Sequence, residues 1–303
     1  MKQKILVTGS SGTIGTRLCE KLLDAGYDVI GVDYQPNKWS SRVKDISLQI
    51  NLLNKEEILN KIPKDVDFVI HLAANARVYD LVVDTSKAFD NFKSLYNILE
   101  FARLNNVKKF MFASSREVYG NSERLVYKED EAHVKNCESP YTASKVGGEA
   151  LVHSYQQCYG VNFIIVRFSN VYGMYDESDR VVPLFVRLCK QGKDLTVFGK
   201  EKLLDFTYID DAVVGVMLCI EKFDTAKNEV YNLAFGEGTS ILKVAEMIKD
   251  SLGTQNNINV TERRTGEVIR YVADISKARE KLGYNPTVPF VDGLNKSLEW
   301  YNR

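Results

Sequence analysis

A tyrosine and a lysine four residues apart, Tyr141 and Lys145, have the spacing that most directly suggests chemistry in this chain. They follow Pro140 at the start of a predicted helix over residues 141–159, and side chains at i and i+4 lie on the same helical face. Because a nearby ammonium favours the phenolate, we expect Lys145 to lower the pKa of Tyr141 toward the range of an acid–base catalyst. The spacing is common by chance, so other residues must support this hypothesis.

A glycine-rich turn at residues 9–15 predicts a nucleotide-binding site. It connects an apolar strand at residues 4–8 with an amphipathic helix at residues 12–25. Glycines let the backbone turn tightly and approach a pyrophosphate held at the helix N-terminus, and Gly15 allows the helix to pack closely on the strand. The residues predicted to contact the cofactor here are Gly9, Ser11, Gly12, Thr13, Ile14 and Gly15.

An acidic residue, Asp33, ends the next predicted strand at residues 28–33 and lies 18 positions after Gly15. A carboxylate at this point binds the adenosine ribose hydroxyls and repels a 2′-phosphate. The position therefore favours NAD over NADP, although Lys38 and Arg42 lie nearby and would suit a phosphate.

Strands and helices alternate along the first part of the chain, which predicts an α/β fold with a doubly wound parallel (Rossmann) sheet. Further strands are predicted at residues 46–50, 67–72, 109–113 and 162–167, and further helices from residue 54, with Glu57 completing a capping box on Asn54, and at residues 85–104. Small residues follow the strand at 67–72 and polar residues follow the strand at 109–113, at the strand ends where an open α/β sheet binds its ligand. We expect His71 to be a packed rather than a catalytic histidine.

The later part of the chain predicts a smaller mixed α/β lobe. We place an NAD-binding domain at residues 1–170, with returning segments around 204–235, and a lobe that mainly binds substrate at residues 171–303. Strands at 204–209 and 229–233 are expected to return to the large sheet. The predicted helices of this part are 183–191, 211–223, 241–252, 275–282 and 291–300.

Composition excludes several classes of protein. The 303 residues are 45% hydrophobic, and 40 basic residues balance 40 acidic ones, which argues against nucleic acid or a membrane surface as partner. Five scattered cysteines without a C-x-x-C pattern speak against a disulfide framework and a metal site. With no signal peptide at residues 1–8 and no long apolar run, we expect a cytoplasmic protein.

Taken in order along the chain, a set of motifs resembles the extended short-chain dehydrogenase/reductase superfamily, in particular its NAD-dependent nucleotide-sugar epimerase/dehydratase branch, which includes UDP-glucose 4-epimerase. The resemblance spans nearly the whole chain. The motifs are Thr8-Gly9-x-x-Gly12-x-x-Gly15, Asp33, His71-Leu72-Ala73-Ala74, Ser114-Ser115-x-x-Val118-Tyr119-Gly120, Tyr141-x-x-x-Lys145, Arg167-x-x-Asn170-Val171-Tyr172-Gly173, Asp205-Phe206-x-Tyr208-Ile209-Asp210-Asp211 and Gly266-Glu267-Val268.

The resemblance implies a role for each residue of the site. Tyr141 is the acid/base, Lys145 binds the nicotinamide ribose and tunes Tyr141, and Ser115 hydrogen-bonds the reacting sugar hydroxyl, while hydride passes from the sugar carbon to NAD. In a 4-epimerase the keto-sugar then rotates and takes the hydride back on its other face. The implied further cofactor contacts are Asn51, Leu52, Leu72, Ala73 and Ala74, and the implied substrate contacts are Ser115, Arg116, Asn170, Lys202 and Arg264.

Two residues leave the reaction open. Glu117 stands where the sugar 4,6-dehydratases and the glucuronate decarboxylases carry a Glu, whereas Arg116 replaces the general-acid Asp of one dehydratase group and cannot donate a proton at neutral pH. Glu117 could instead form a structural ion pair with Arg116 or Arg77. We expect a 4-epimerase of a UDP-hexose or its uronic acid; the alternatives are a 4,6-dehydratase or UDP-glucuronate decarboxylase using Glu117, and a non-catalytic NAD-binding relative.

One position departs from the family's pattern, and the resemblance also implies an oligomeric partner. The family's usual diphosphate-binding Arg is replaced by Leu204, so Lys202, Arg264 and Asn170 are the remaining candidates for this contact. The resemblance also implies a homodimer through helices 85–104 and 141–159. The excess of apolar residues on the first of these helices agrees with that expectation.

Overall fold

The structure, a computed structural model, describes residues 3–303. Residues 1 and 2 lie outside the described residues. They belong to the predicted domain 1–170 and to the N-terminal segment in which we expect no signal peptide. The strands are β1 Lys4–Thr8, β2 Asp28–Asp33, β3 Ser47–Gln49, β4 Phe68–His71, β5 Lys109–Ser115, β6 Val126–Tyr127, β7 Asn162–Phe168, β8 Asn170–Tyr172, β9 Leu195–Phe198, β10 Leu203–Tyr208, β11 Glu229–Leu233, β12 Gly238–Ser240, β13 Ile258–Thr261 and β14 Arg270–Ala273.

Helices connect and cover these strands. They are α1 Thr13–Asp24, α2 Ser41–Asp45, α3 Lys55–Lys61, α4 Val78–Val83, α5 Ser86–Leu104, α6 Pro140–Tyr159, α7 Val181–Lys190, α8 Ile209–Glu221, α9 Phe223–Ala226, α10 Ile241–Leu252, α11 Ser276–Leu282 and α12 Phe290–Tyr301. The ends of the longer predicted helices agree with these bounds within two residues. None of the helices within residues 3–303 is long and apolar enough to span a membrane.

Seven parallel strands form the main sheet in the order β11-β7-β5-β4-β1-β2-β3. This confirms the predicted doubly wound fold. The chain builds β2 and β3 on one side of β1 and then crosses to the other side to form β4, so the direction of winding reverses between β1 and β4. In open α/β sheets ligands bind at the carboxyl ends of the strands beside such a reversal.

Apolar residues on both faces of the strands explain why the sheet is buried. Ile5 and Val7 of β1 point into one core with Leu18 of α1, whereas Leu6 between them points into a second core with Leu95 of α5. Successive strand residues face opposite sides of a sheet, so a continuous apolar run is stable only where helices cover both sides.

A second sheet lies in the later part of the chain and corrects one prediction. Its order is β12-β10-β14-β6, with β8 also pairing with β10. The strand predicted at residues 204–209 was expected in the main sheet but pairs with these strands instead. The strand at Glu229–Leu233 does return to the main sheet, where it pairs with β7. Since β11 occupies that edge of the sheet, β10 has no place beside β7. The division of the chain at residue 170 stays a prediction.

Helix α6, which carries Tyr141, has clear stop and start signals. The Ser139 side chain accepts a hydrogen bond from the backbone N–H of Thr142, Pro140 occupies the first turn, and Gly160 ends the helix with φ at +65°. The predicted capping box of α3 is only half formed. Asn54 accepts from the backbone N–H of Glu57, but the Glu57 carboxylate contacts the backbone N–H of Asn51.

Replacing Gly15 by alanine tests the close packing of α1 on the glycine turn. A Cβ at this position would lie 1.9 Å from the Gly9 carbonyl oxygen, so the backbone must move apart. We expect Gly15→Ala to lower the free energy of unfolding by about 1–3 kcal/mol in chemical denaturation. Gly147→Ala is the control, because its Cβ would meet only the Phe92 ring at 3.5 Å. Removing a helix-interior glycine there should raise stability by about 0.5–1 kcal/mol, and equal stability of the two variants would contradict the packing described.

Candidate active site

Tyr141 and Lys145 lie on one buried face of α6, over the carboxyl end of β5. Tyr141 is 6% and Lys145 5% exposed. The Lys145 Nζ is 5.8 Å from the centre of the Tyr141 ring and donates a 2.7 Å hydrogen bond to the carbonyl oxygen of Ala113. The helix register therefore brings the two predicted residues together as the spacing required.

Burial controls the protonation of both groups. It raises the pKa of Tyr141, with nearby Glu117 adding to the rise and the Ser115 side chain acting in the opposite direction. It lowers the pKa of Lys145 to about 8. The expected lowering of the Tyr141 pKa is therefore wrong for the chain on its own, because the phenolate loses more hydration than the neighbouring charges replace.

A short 3-10 turn after β5 brings Ser115, Arg116 and Glu117 to the same edge of the sheet. The Ser115 Oγ accepts from the backbone N–H of Glu117, and Arg116 Nη2 lies 2.8 Å from Glu117 Oε1. The ion pair considered for Glu117 is thus formed with Arg116, while Arg77 pairs with Asp80 and Asp179. Within residues 3–303, Arg116 Nη1 and Glu117 Oε2 are buried without a hydrogen-bond partner.

The glycine turn packs against the end of β4, where the predicted cofactor contacts Leu72, Ala73 and Ala74 follow. Gly9 has φ at +75°, and a Cβ there would lie 2.9 Å from the Ala73 nitrogen, so only glycine fits. The Asp33 carboxylate accepts from the backbone N–H groups of Ser11 and Gln35, both at 3.0 Å. The ends of β1, β2 and β4 therefore meet at the glycine turn, and we call this arrangement the cofactor cradle.

The two cations that would suit a 2′-phosphate are engaged by acids. Lys38 Nζ lies 2.6 Å from Glu177, and Arg42 Nη1 lies 2.9 Å from Asp24. With the Asp33 carboxylate at the end of β2 and both cations paired, this part of the site favours NAD over NADP.

Residues 174–180, which we call the strap, cross from the later part of the chain to the cofactor cradle. The Tyr175 carbonyl accepts a 3.0 Å hydrogen bond from Thr13 Oγ1 at the start of α1. Farther along the strap, Glu177 pairs with Lys38, and Asp179 pairs with Arg77 at 3.1 Å. The sequence did not predict these contacts, because their partners lie far apart in the chain and nothing local marks them.

His71 is a packed residue, as expected. Its Nδ1 lies 2.8 Å from Thr8 Oγ1, and its ring stacks on Phe112. Burial, with a smaller effect of Lys145, lowers the pKa of His71 to about 3, so the ring is neutral at physiological pH.

The two predicted contacts to the adenine side lie in the segment after β3. The Asn51 Oδ1 accepts from the backbone N–H of Leu53 at 3.0 Å, which leaves one lone pair for a further donor. Leu52 is 8% exposed, and its carbonyl accepts from Asn97. Both roles stay predictions.

The residues predicted to bind substrate from the later part of the chain each contact a different partner. Asn170 donates to the Asp205 carbonyl, Lys202 forms an ion pair with Glu267, and the Arg264 guanidinium lies 3.8 Å from the centre of the Phe198 ring. Within residues 3–303 no hydrogen bond or ion pair connects Asn170, Lys202 or Arg264 to Tyr141. Leu204 is 3% exposed.

Fold and site together define a dinucleotide-binding α/β protein with a buried tyrosine–lysine pair beside the cofactor cradle. A sequence model of the NAD dependent epimerase/dehydratase family matches residues 5–234. The chain belongs to this family, and its cofactor is NAD.

The chain is similar to other proteins along nearly its full length. The chain is 33% identical to an uncharacterized UDP-glucose epimerase, YtcB, of Bacillus subtilis, over 98% of this chain and 97% of the relative. Two solved structures each have a TM-score of 0.89, 30% identity and 99% coverage of both chains. They are a UDP-glucose 4-epimerase of Thermotoga maritima with UDP-glucose, and a UDP-glucuronic acid 4-epimerase of Bacillus cereus in complex with UDP-glucuronic acid and NAD.

Replacing Asp33 by asparagine tests its role in cofactor choice. We expect Asp33→Asn to weaken NAD binding about tenfold or more, since hydrogen bonds to a charged group are lost, and to reduce the preference for NAD over NADP. Titration calorimetry with both dinucleotides measures the change. Asp28→Asn, at the opposite end of the same strand, is the control and should bind both dinucleotides like the wild type. Unchanged NAD affinity in Asp33→Asn would contradict the assignment.

Proposed function

We propose that the chain is an NAD-dependent nucleoside-diphosphate-sugar 4-epimerase acting on a UDP-hexose or its uronic acid. The observation that carries the proposal is the joint burial of Tyr141, Lys145 and Ser115 at the end of β5, beside the cradle for NAD. The similar proteins named as UDP-glucose and UDP-glucuronic acid 4-epimerases support the substrate class.

The residues would act in sequence on the sugar 4-hydroxyl. Ser115 orients this hydroxyl, and Tyr141 removes its proton as the carbon–hydrogen bond at C4 breaks. Bound NAD supplies the reversible acceptor for the hydride from C4. Lys145 uses one N–H on the Ala113 carbonyl and keeps two donors for the nicotinamide ribose. After the keto-sugar has turned its other face, C4 takes the hydride back, Tyr141 returns the proton to the 4-oxygen, and the 4-epimer leaves.

The diphosphate needs cations that Leu204 does not supply. Arg264 is stacked on Phe198 and forms no ion pair within residues 3–303, so its charge is available to a phosphate. Lys202 shares its charge with Glu267. We therefore assign the main diphosphate contact to Arg264, with Lys202 and Asn170 as further contacts.

The alternative functions are enzymes that use Glu117 in catalysis and a protein without catalytic activity. A 4,6-dehydratase or UDP-glucuronate decarboxylase is favoured by the buried Glu117 Oε2 atom, which has no partner among the described residues. Against it, the other carboxylate oxygen of Glu117 is held by Arg116, which stands where a general acid would be needed. A non-catalytic NAD-binding protein is disfavoured because Ser115, Tyr141 and Lys145 are all present and buried together.

The predicted homodimer and cytoplasmic location stay predictions. Helix α5 leaves Phe89 68% and Tyr96 39% exposed, while Tyr159 at the end of α6 is 48% exposed. Burying these aromatic side chains is the contribution that the two helices would make to a dimer.

The function is tested with UDP-glucose, UDP-galactose, their N-acetyl forms and UDP-glucuronate as substrates, and with NMR to resolve the products. We expect one pair of 4-epimers to interconvert. Tyr141→Phe should lower the rate about 10²–10⁴-fold, because proton transfer at the 4-hydroxyl is lost, while circular dichroism shows an unchanged fold. Formation of a 4-keto-6-deoxy sugar, no conversion of any substrate, or normal turnover by Tyr141→Phe would contradict the proposal.

A Glu117→Gln variant distinguishes the epimerase from its enzymatic alternatives. Glutamine keeps the shape of the side chain but removes its charge and its proton acceptor, so a dehydratase or decarboxylase should lose its activity. We expect the epimerase to keep more than about a tenth of its rate, because Tyr141 carries the proton transfer. Breaking the buried pair with Arg116 lowers stability, so the assay is run well below the melting temperature of the variant. Loss of product formation by a folded Glu117→Gln would favour the alternatives.

A further inference from the structure

Glu149 lies one helical turn beyond Lys145 on the face of α6 that carries Tyr141. Its Oε1 accepts a 2.5 Å hydrogen bond from Ser114 Oγ on β5. Arg167 on β7 donates to both carboxylate oxygens, from Nε at 2.9 Å and from Nη2 at 2.7 Å. The Arg167 side chain is 5% and the Glu149 side chain 12% exposed, so this two-point pair is largely shielded from water.

The pair is held from its far side as well. Arg167 Nη1 donates to the Tyr119 hydroxyl at 3.1 Å and to the Glu129 carbonyl at 2.7 Å. The Tyr119 hydroxyl in turn donates to Asn232 Oδ1 at 2.6 Å. Since β7, β11 and the turn after β5 all contribute to this network, the Glu149 carboxylate has one fixed position.

Glu149 and Lys145 contact consecutive residues at the end of β5. Lys145 donates to the carbonyl of Ala113, and Glu149 accepts from the side chain of Ser114. The negative charge of Glu149 raises the pKa of Lys145 and so opposes the larger effect of burial, which lowers it. A carboxylate in a fixed position one helical turn away thus opposes the loss of the Lys145 charge that burial favours.

The buried titratable groups of the elements packed on this part of α6 are neutral or paired, whereas Asp90 and Lys93 of α5 are not buried and form no ion pair within residues 3–303. His71 on β4 is uncharged at neutral pH. Helix α5 meets α6 here through the amide of Asn91, which donates to Ser144. The charged groups are paired as follows: Arg116 with Glu117 in the turn after β5, Arg77 with Asp80 at the start of α4, Arg167 with Glu149, and Glu100 with Lys55 and Arg103 farther along α5.

We propose that Glu149 is a positioning residue of the catalytic site, which keeps Lys145 protonated. The role of Lys145 in turnover rests on the proposed function, but its protonation does not. Glu149 touches neither substrate nor cofactor in this assignment and acts through Lys145 alone.

The direction of the effect follows from the charges. Without the Glu149 carboxylate, Lys145 loses its proton at a lower pH than in the wild type. Arg167 is then left without its partner and repels the Lys145 ammonium further. Removing both charges of the pair also removes this repulsion. The pH at which Lys145 loses its proton should then lie between the values of the wild type and of Glu149→Gln.

The direct test measures the protonation of Lys145 by NMR of protein that contains ¹³Cε-labelled lysine, with Lys145→Arg to assign the signal. We expect the Lys145 titration to shift to lower pH by about one unit in Glu149→Gln and by less in the double variant Glu149→Met with Arg167→Met. The double variant also guards against misfolding, because it leaves no unpaired buried charge. Ser114→Ala keeps both charges and should titrate like the wild type.

The second readout is the pH profile of sugar conversion. In Glu149→Gln the alkaline fall in kcat should begin about one pH unit lower than in the wild type, with a near-normal rate on the acid side of that fall. A uniform loss of rate at every pH, an unshifted Lys145 titration, or an equal shift in Ser114→Ala would overturn the proposal. If the titration shifts but no sugar is converted by the wild type, the proposed function fails and the effect of Glu149 on Lys145 stands.

Discussion

The hydrogen bond from the buried Lys145 ammonium to the Ala113 carbonyl ties α6 to the end of β5, and the arrangement of the site depends on it. Strand β4 pairs with β5 only as far as Phe112, so an ammonium placed at the next carbonyl, that of Ala113, supplies a donor to a buried acceptor on that side of β5. The same bond fixes the rotation of α6 about its axis. Tyr141, one turn earlier, is thereby directed at the turn that carries Ser115.

The main sheet was predictable because its signals are local. Runs such as Ile5 to Val7 are apolar at every position, which only a strand covered on both faces tolerates, and the helices between them carry ordinary start and stop signals. The sheet to which β10 belongs was not predictable in this way. Leu203–Tyr208 reads like any buried strand, and its place was decided by β11 pairing with β7, a contact between distant parts of the chain.

The same distinction explains the site. Tyr141 with Lys145, and Arg116 with Glu117, are neighbours in sequence, so geometry alone placed them together. The contact of Thr13 with Tyr175 and the pair of Glu149 with Arg167 join separate elements and left no signature in the spacing. Burial is equally invisible in a local pattern, which is why the direction of the Tyr141 pKa was predicted wrongly: the lost hydration of the phenolate depends on everything packed around it.

The strap affects how the preference for NAD could change in evolution. Lys38, one of the two cations that would suit a phosphate on the ribose, is present but is paired with Glu177, a residue of the strap. A descendant of this chain would therefore approach NADP by losing acids, at Glu177 and Asp33, without gaining a base. Each loss is a single substitution at the surface or cleft edge, where changes are better tolerated than in the core. The route to a different cofactor thus consists of two losses, at Glu177 and Asp33, and neither position is among the proposed catalytic residues.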